Sequence, residues 1–457
     1  MRLPFVFLIP AKQSIQKNGT VAGKQMLKKN DILQVEVTDL NHEGLGIAKA
    51  EGVVIFVQAG VTGDKALVKI IKSAKNYCVA RIEELIEGSK YRAEPVCPYF
   101  KRCGGCVYQH ITPEYENKLK KIRVENEFKR FGMTGINVEE IVSGEMRGYR
   151  NKLQCPVSGD GEVGFYARMT HEIVPIEKCI LQHRLLEPVS SLVFAFIKKN
   201  PVRGLRHLYF RCAVGTGEVM VCFVSRSENP SDFSGITAMI KDKLPQVTSV
   251  MLNVNGSDGN VILGDKTVVL HGRGYIEDIL CGNRLRISPL SFYQVNHEVT
   301  EKLYACAAEF ACLKPTDKLL DMYCGTGTIG LCINSMTPVA ELTGTEIVSQ
   351  AVDDAKTNAQ INGVSNAEFI CCDAADSVPQ GYDVIICDPP RKGLSEKTVT
   401  AISAARPERI VYISCSPDTL ARDCVRFISF GYNIKRVKAF NMFPRTGHVE
   451  TLVSLER

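Results

Sequence analysis

No stretch of this 457-residue sequence is apolar for long enough to cross a membrane as a helix, which takes about 20 consecutive apolar residues. The sequence also lacks a strong excess of one charge, and its net charge of +6 permits nucleic acid as a partner without requiring it. Its 18 cysteines lack the regular spacing of a secreted disulfide scaffold. They favour reduced thiols in a cytoplasmic protein, with a metal-binding subset. The length predicts two to four domains, and no obligate protein partner is indicated.

The N-terminus contains a short apolar segment at residues 3–10, with one preceding arginine and no clear small-residue cleavage site. It therefore only imitates the apolar part of a signal peptide. Residues 1–25 are expected to be a disordered extension. Alternatively, they result from translation that starts upstream of Met26.

Five short strand-like segments follow between residues 34 and 82, separated by glycine turns. This number of short strands fits a small Greek-key barrel of the OB type. Residues 26–85 resemble the TRAM domain, an RNA-binding OB-like module, with Glu43-Gly44-Leu45-Gly46 as the recognisable part. The later strands carry a group of basic residues that fits either an RNA-binding face or a solvated charged edge. These residues are Lys65, Lys69, Lys72, Lys75 and Arg81.

Cys97, Cys103 and Cys106 lie within ten residues, the last two separated by Gly-Gly. Glycine lets the backbone approach inorganic sulfide closely and offers N–H groups to it. Cys179 is the candidate fourth ligand. Cys155 is the alternative, although its apolar strand favours core packing. A [4Fe–4S] cluster is favoured over zinc, because structural zinc usually pairs two CxxC-type knuckles and the distal half offers a single cysteine.

Residues 90–290 are predicted to form a central α+β domain around this cysteine group. Residues 113–131 predict a basic amphipathic helix, a pattern that usually marks a solvated face. Strand-rich segments up to about residue 290 suggest an antiparallel sheet. Arg147, Arg150 and Lys152 precede them, and these cations could either bind phosphates or be solvated.

From Ser291 onward, strands alternate with helices, which predicts a doubly wound parallel sheet in a Rossmann-like domain over residues 291–457. A helix is expected from Gln294 to about Ala311. A strand ending near Asp321 precedes a Gly-x-Gly turn, and the next strand ends in Glu346, 25 residues later. An acid there binds ribose hydroxyls in nucleoside-binding folds. The turn lacks the full G-x-G-x-x-G pattern and the triphosphate lysine signature, which favours S-adenosylmethionine over NAD.

Further strands end in Asp373, in Asp388 of an Asp-Pro-Pro segment, and in Cys415. In an open α/β sheet such strand ends meet at the ligand-binding edge. Each acid alone could cap a helix, and a strand-end cysteine alone is commonly an inert buried thiol. Glu450, at the start of the last strand, is a candidate base beside a nucleophilic Cys415.

These motifs closely resemble the RNA uracil-5-methyltransferases that use S-adenosylmethionine. The matching segments are Ser291 to Asn296, Asp321 to Gly327, Asp388 to Arg391, Ser414 to Pro417 and His448 to Thr451. The N-terminal half resembles the ribosomal-RNA branch, which adds a TRAM module and an iron–sulfur cluster held by four cysteines. The bacterial tRNA branch looks shorter and lacks both. The resemblance runs from about Met26 to the end, so residues 1–25 have no counterpart in it.

The resemblance implies that Cys415 adds to C6 of uracil and that Glu450 removes the C5 proton. It also implies a methyl-donor site in which Glu346 binds the ribose and Asp373 is a weaker addition. The donor-site residues are Gln294, Tyr323, Glu346 and Asp388.

The favoured substrate is RNA, specifically 23S rRNA. Three alternatives stay open. They are a tRNA uracil-5-methyltransferase, an amino-methyltransferase that uses Asp-Pro-Pro without the cysteine, and a non-catalytic RNA-binding ribosome assembly factor.

Overall fold

The computed structural model describes residues 27–257, 259–375, 378 and 380–457. The extension predicted for residues 1–25 lies outside these described residues. The chain divides into two compact units, one ending at Ser89 and one extending from Lys90 to Arg457, with Leu40–Gly44 assigned to the second. The boundary predicted at residue 291 falls inside the second unit and stays a prediction. No described helix is long and apolar enough to cross a membrane.

The first unit is built on a six-stranded sheet in the order β1-β5-β6-β4-β3-β2. Its strands are β1 (Ile32–Glu36), β2 (Asp39–Leu40), β3 (Leu45–Ala50), β4 (Val53–Gln58), β5 (Lys65–Ser73) and β6 (Tyr77–Glu87). Ala66, Val68 and Ile70 alternate along β5 and are fully buried, as the two-residue period of a strand requires. The short strands expected here are confirmed, while a closed OB-type barrel stays a prediction.

The basic residues of this unit divide into two groups. Lys65 and Arg81 form exposed ion pairs with Glu87 and Glu83, each at 2.8 Å. For these two the solvated-edge interpretation is sufficient. Lys72, in contrast, is exposed without an ion pair among the described residues and stays available to RNA.

The second unit contains the remaining strands and the helices. Its strands up to residue 290 are β7 (Val138–Val142), β8 (Lys152–Pro156), β9 (Gly164–Tyr166), β10 (Ile173–Pro175), β11 (Leu205–Cys212), β12 (Val219–Ser225), β13 (Val247–Val254), β14 (Lys266–Gly272), β15 (Ile276–Leu280) and β16 (Asn283–Ile287). Its later strands are β17 (Lys318–Met322), β18 (Glu341–Glu346), β19 (Ala367–Cys371), β20 (Val384–Cys387), β21 (Arg409–Ser414), β22 (Asn433–Phe440) and β23 (Glu450–Glu456). Its α-helices are α1 (Pro113–Arg130), α2 (Glu187–Lys199), α3 (Ser234–Lys243), α4 (His297–Ala311), α5 (Thr328–Met336), α6 (Ser349–Ile361), α7 (Glu396–Ala405) and α8 (Pro417–Ser429).

A five-stranded sheet in the order β14-β13-β12-β11-β8 forms the first part of this unit. Three of its strand pairs are antiparallel, but β12 and β13 run parallel. The antiparallel sheet expected from the sequence is confirmed for three strand pairs and is wrong for β12 and β13. Helix α3 is the reason, because it lies between the two strands in sequence and supplies the crossover that a parallel pair needs.

The large sheet has the order β19-β18-β17-β20-β21-β23-β22-β7, and its first five strands are parallel. Both faces are covered: Leu319 and Val384 pack into one hydrophobic cluster, and Leu320 and Ile385 into another. Burial on both faces explains why these strands are almost continuously apolar. The doubly wound parallel arrangement expected from the sequence is confirmed for these five strands.

Two additions extend the sheet beyond that pattern. Strand β23 runs antiparallel to both β21 and β22. Strand β7, from the stretch assigned to the central domain, pairs with β22 at the far edge. The segment before residue 290 thus completes the sheet that carries the candidate site.

Candidate active site

The candidate site lies at the carboxyl edge of the parallel strands. The sheet order reverses between β17 and β20, and such a reversal opens the crevice in which ligands bind. Tyr323 follows β17, Glu346 ends β18, and Asp388 follows β20. Three of the four predicted donor-site residues therefore reach the same edge.

The turn after β17 has a left-handed backbone at three of five positions. Tyr323, Gly325 and Gly327 have φ values of +63°, +55° and +76°. A side chain at Gly327 would lie 2.9 Å from the Phe369 ring, whereas one at Gly325 would meet nothing within 4 Å. The turn is thus closely packed against the protein at Gly327 and open at Gly325. The left-handed Tyr323 is uncommon for a bulky residue and marks a position that the surroundings must hold.

Asp321 fixes this turn to the following helix. Its Oδ2 accepts a hydrogen bond from the Gly330 N–H at 2.8 Å, and the side chain is fully buried. The pKa of Asp321 is raised to about 7, mainly by burial and in smaller part by Asp388 and Glu346. Asp321 is therefore a support for the turn.

Glu346 is held by backbone groups on both oxygens. Oε1 accepts the N–H groups of Ile347 and Val348 at 2.9 and 3.0 Å, and Oε2 accepts that of Gly325 at 3.2 Å. A carboxylate offers about four acceptor sites, so capacity remains for a hydroxyl. Asp373, in contrast, is exposed and accepts the N–H of Ala375 at 2.8 Å. Its assignment as the weaker addition stays a prediction.

Gln294 lies in a buried segment that precedes α4. The helix expected to begin at Gln294 begins at His297, because the Asn296 side chain caps it by accepting the Val299 N–H at 3.3 Å. The Gln294 carbonyl accepts a hydrogen bond from Asn151 Nδ2 at 2.9 Å. This contact fixes the segment to the neighbouring five-stranded sheet.

The structure brings Cys415 and Glu450 together across two strands. Ser414, the last residue of β21, is in register with Thr451 of β23. Cys415 therefore follows directly opposite Glu450, which begins β23. Facing positions of an antiparallel pair lie about 4.5–5.5 Å apart at their Cα atoms. Glu450 is 3% exposed, whereas Cys415 is only half-buried and can be reached from outside.

The electrostatics of this cluster favour protonated groups. The pKa of the Cys415 thiol is raised to about 11, mainly by burial and then by Glu450 and Asp388. Burial likewise raises the pKa of Glu450, and Asp388 adds to the rise. The pKa of Asp388 is raised by burial as well. Arg391 acts in the opposite direction on both Cys415 and Glu450.

Arg391 is a further candidate residue of the site, for which the sequence analysis gave no role. The positive charge of its guanidinium acts on the Cys415 thiol and lowers the thiol pKa. Its Nη2 also lies 3.2 Å from Nδ1 and 3.3 Å from Nε2 of His448. Burial and Arg391 lower the pKa of His448 to about 4, so this imidazole is neutral at pH 7. The Asp-Pro-Pro-Arg segment was a signal for Arg391, but it did not reveal the sulfur as its partner.

A buried network attaches helix α1 to the loop before Glu450. Lys120 Nζ donates to Glu116 Oε1 at 2.9 Å, to Asn441 Oδ1 at 2.6 Å and to the Phe443 carbonyl at 3.0 Å. Glu116 Oε1 also accepts the Arg445 N–H at 2.8 Å. The expectation of a solvated face is wrong at Lys120, which is 1% exposed because its charge is fully paired inside the protein.

The four predicted metal-ligating cysteines lie in one neighbourhood. Cys97, Cys106 and Cys179 contribute to a single hydrophobic cluster. The pKa of Cys106 is raised to about 12, mainly by burial and in part by the other three thiolates. Cys155 is fully buried in the core of the five-stranded sheet, as its apolar strand indicated. Within the described residues, no three cysteine, histidine or acidic side chains are grouped so as to hold a metal ion, and the ligand assignment stays a prediction.

Comparison with protein families gives three matches along the chain. The TRAM domain matches residues 27–82, the methyltransferase small domain matches 307–406, and the tRNA (uracil-5-)-methyltransferase family matches 376–457. The first match confirms the TRAM resemblance. The third contains the strands that bring Cys415 and Glu450 together.

Similar proteins cover almost the whole chain. An uncharacterized RNA methyltransferase of Halalkalibacterium halodurans is 38% identical over 94% of this chain and 98% of its own length. One of Clostridium acetobutylicum is 35% identical over the same shares. The crystal structure of Pyrococcus abyssi tRNA (uracil-54, C5)-methyltransferase with S-adenosyl-L-homocysteine has a TM-score of 0.76 and 27% identity, covering 93% of this chain and all of that one. The chain therefore belongs to the RNA uracil-5-methyltransferase family and carries a TRAM domain.

Proposed function

We propose that this protein transfers a methyl group from S-adenosylmethionine to C5 of a uridine in RNA, through a covalent bond between Cys415 and C6 of the base. The observation that carries the proposal is the position of Cys415 opposite Glu450 in the β21–β23 pair, where the Arg391 charge also lowers the pKa of the thiol. A nucleophile, a base and a cation at the nucleophile are the groups that this reaction needs.

The chemistry follows from the electronics of uracil. C5 is a poor nucleophile until the Cys415 sulfur bonds to C6 and shifts the C5–C6 electron pair into an enolate. C5 then forms its bond to the methyl group, while the bond between that methyl group and the donor sulfonium breaks and its electron pair stays on the donor sulfur. Glu450 takes the C5 proton, the C5=C6 double bond re-forms, and the C6–S bond breaks to release the Cys415 thiolate. The target base must leave any stack to reach the half-buried sulfur.

Arg391 has a defined role in this reaction. The reacting form of Cys415 is the thiolate, which burial and the neighbouring carboxylates disfavour. A charge-assisted hydrogen bond from Arg391 stabilises the anion more than the neutral thiol. Arg391 is thus a catalytic residue in the proposal.

The methyl donor fits the open turn after β17. S-adenosylmethionine supplies an electrophilic methyl group on a sulfonium sulfur. Gln294, Tyr323, Glu346 and Asp388 would hold it, with the remaining acceptor capacity of Glu346 on a ribose hydroxyl. The lack of contacts above Gly325 leaves space for a ligand without phosphates.

We also propose that Cys97, Cys103, Cys106 and Cys179 hold a [4Fe–4S] cluster. The Gly105 N–H lies 3.4 Å from Cys103 Sγ, the kind of N–H···S contact that glycine can offer around a cluster. The cluster would supply a covalent link between residues 97–106 and Cys179. It would be structural or orient the RNA, because the methyl transfer proposed here needs no electrons.

The proposed substrate is 23S rRNA, because the TRAM module and the four cysteines resemble the ribosomal-RNA branch. The tRNA alternative is supported by the Pyrococcus abyssi enzyme, whose structure covers 93% of this chain. Unmodified 23S rRNA and tRNA transcripts, assayed side by side for 5-methyluridine, decide between them. If neither RNA is methylated, the non-catalytic assembly factor becomes the better description.

Two variants test the covalent step. Cys415→Ala should bind RNA and donor but lose turnover, whereas Glu450→Gln should accumulate an RNA–protein adduct that migrates slowly on a denaturing gel. Normal turnover by Glu450→Gln would contradict its role as the base. An adduct with 5-fluorouracil-substituted RNA would exclude the amino-methyltransferase alternative, which has no use for the cysteine.

A further inference from the structure

Strands β8 and β11 place two cations opposite each other. Lys152 is in register with Arg211 in this antiparallel pair. Arg150 lies two residues earlier, and its Nε donates to the Lys152 carbonyl at 3.0 Å. Like charges at facing positions repel each other. Within the described chain, no carboxylate forms an ion pair with any of these three residues.

Simple solvation does not account for this group. The pKa of Lys152 is lowered to about 7, mainly by burial and then by the charges of Arg211 and Arg150, with no acid acting against them. Arg211 is 2% exposed, and its buried Nε has no hydrogen-bond partner. Arg211 is buried, and Arg150 and Lys152 are half-buried beside it. Such a group of like charges, without a carboxylate partner in the described part of the chain, favours an anion from outside the chain.

The cluster contacts the segment that contains Gln294. Leu153 and Phe210 point into the core on one side of the sheet, so the alternation of strands puts Lys152 and Arg211 on the other. There, Arg211 Nη1 donates to the Ser291 carbonyl at 2.9 Å. The cations are thus anchored to residues 291–296, the segment that contains Gln294.

The same segment leads on towards the base. Asn296 Nδ2 donates to the Met442 carbonyl at 3.2 Å, in the loop that precedes Glu450. An anion held by the cluster would therefore be coupled, through residues 291–296, to the loop that carries the catalytic carboxylate.

We propose that Arg150, Lys152 and Arg211 form an anion subsite that takes a phosphodiester group of the RNA substrate beside residues 291–296. This proposal rests on the proposed function, which makes RNA the anion that reaches this side of the sheet. Arginine suits a phosphate because its planar fork can bond two oxygens at once, and Lys152 adds a point charge. The subsite positions the RNA backbone, and Cys415 reacts with the base.

The test is the Lys152→Met variant, with Lys243→Met as the matched control at an exposed lysine that has no ion pair in the described chain. Binding of an unmodified 23S rRNA transcript is measured over a salt series. Lys152→Met should bind roughly three- to tenfold more weakly and lose about 0.7–0.9 from the slope of log K against log salt concentration, the share of one phosphate contact. Lys152→Arg should restore both, and Lys243→Met should change neither.

Thermal unfolding separates this role from a structural one. Removing the Lys152 charge relieves its repulsion with Arg150 and Arg211, so the melting temperature of Lys152→Met should stay the same or rise. Unchanged RNA affinity and salt slope would overturn the subsite, and so would weaker binding accompanied by a lower melting temperature. If the wild-type protein methylates RNA while Lys152→Met binds RNA normally, the subsite proposal is refuted and the proposed function stands. If the wild type methylates neither 23S rRNA nor tRNA, the proposed function fails.

Discussion

The buried ion pair between Lys120 and Glu116 lies within helix α1 and hydrogen-bonds the loop before Glu450, and the substitution Lys120→Met breaks it. The two charged atoms are 2.9 Å apart, and the side chains are 1% and 0% exposed. Without Lys120, the buried Glu116 carboxylate keeps only the Arg445 guanidinium, at 3.7 Å, as a cationic partner, and breaking a buried pair costs about 3–5 kcal/mol. We expect the free energy of unfolding, measured by urea titration, to fall by this amount. Methyl transfer should also slow, with kcat reduced more than the KM for RNA is raised, because the loop that holds the base loses its anchor.

A matched control is available on the surface. Lys302 pairs with Glu298 at 2.7 Å with the same i,i+4 spacing, but the side chains are 44% and 48% exposed. Lys302→Met should therefore cost only about 0.3–0.5 kcal/mol. Combining Lys120→Met with Glu116→Gln removes both charges and should recover much of the loss, because burying the charged pair itself costs free energy. A loss below about 1 kcal/mol for Lys120→Met alone would refute the reasoning.

Two further predictions concern protons and iron. The rate should rise with pH through the neutral range, since the raised pKa of Glu450 keeps this base protonated in acid; a flat rate between pH 5 and 9 would contradict this. Stability should change in the opposite sense. Above the usual carboxyl pKa of about 4.3, the unfolded chain releases a proton that the folded protein retains, so stability falls as pH rises towards the raised pKa. Glu450→Gln should flatten that fall in urea titrations at several pH values. Separately, Cys179→Ser should lose iron from anaerobically prepared protein while Cys155→Ala retains it, and the reverse result would exchange the fourth ligand.

The parts of the site that could be predicted are those encoded within one strand and its following turn. Glu346, Asp388 and Cys415 each end a buried apolar run, and parallel strands bring such ends to one edge. Local pattern was sufficient there because the direction of the strands fixes the position of the residue. The same reasoning placed Glu450 at the start of the last strand.

The parts that could not be predicted depend on contacts between distant segments. From the sequence, Lys120 is expected to be a surface lysine. In the structure, Asn441, 321 residues away, accepts its hydrogen bond at 2.6 Å. Strand β7 carries no signal that it will join a sheet whose other strands begin at Lys318. Lys152 could not be predicted for the same reason, because the charge that faces it belongs to Arg211 in the neighbouring strand. Residue composition and the spacing of apolar residues predict a helix or a strand. They do not predict which charged residues of other segments will contact it.

The environment of Cys415 explains how the protein can keep a nucleophile that is not permanently reactive. Each negative charge that develops on Cys415, Glu450 or Asp388 makes ionisation of its neighbours harder, so the free site retains its protons. A thiol in that state resists the oxidation to which low-pKa cysteines are prone. Neutral His448 adds no positive charge, which leaves Arg391 as the cation that acts on the sulfur. Arg391 is thus the cation that lowers the pKa of Cys415, which is why the proposed mechanism groups it with the nucleophile and the base.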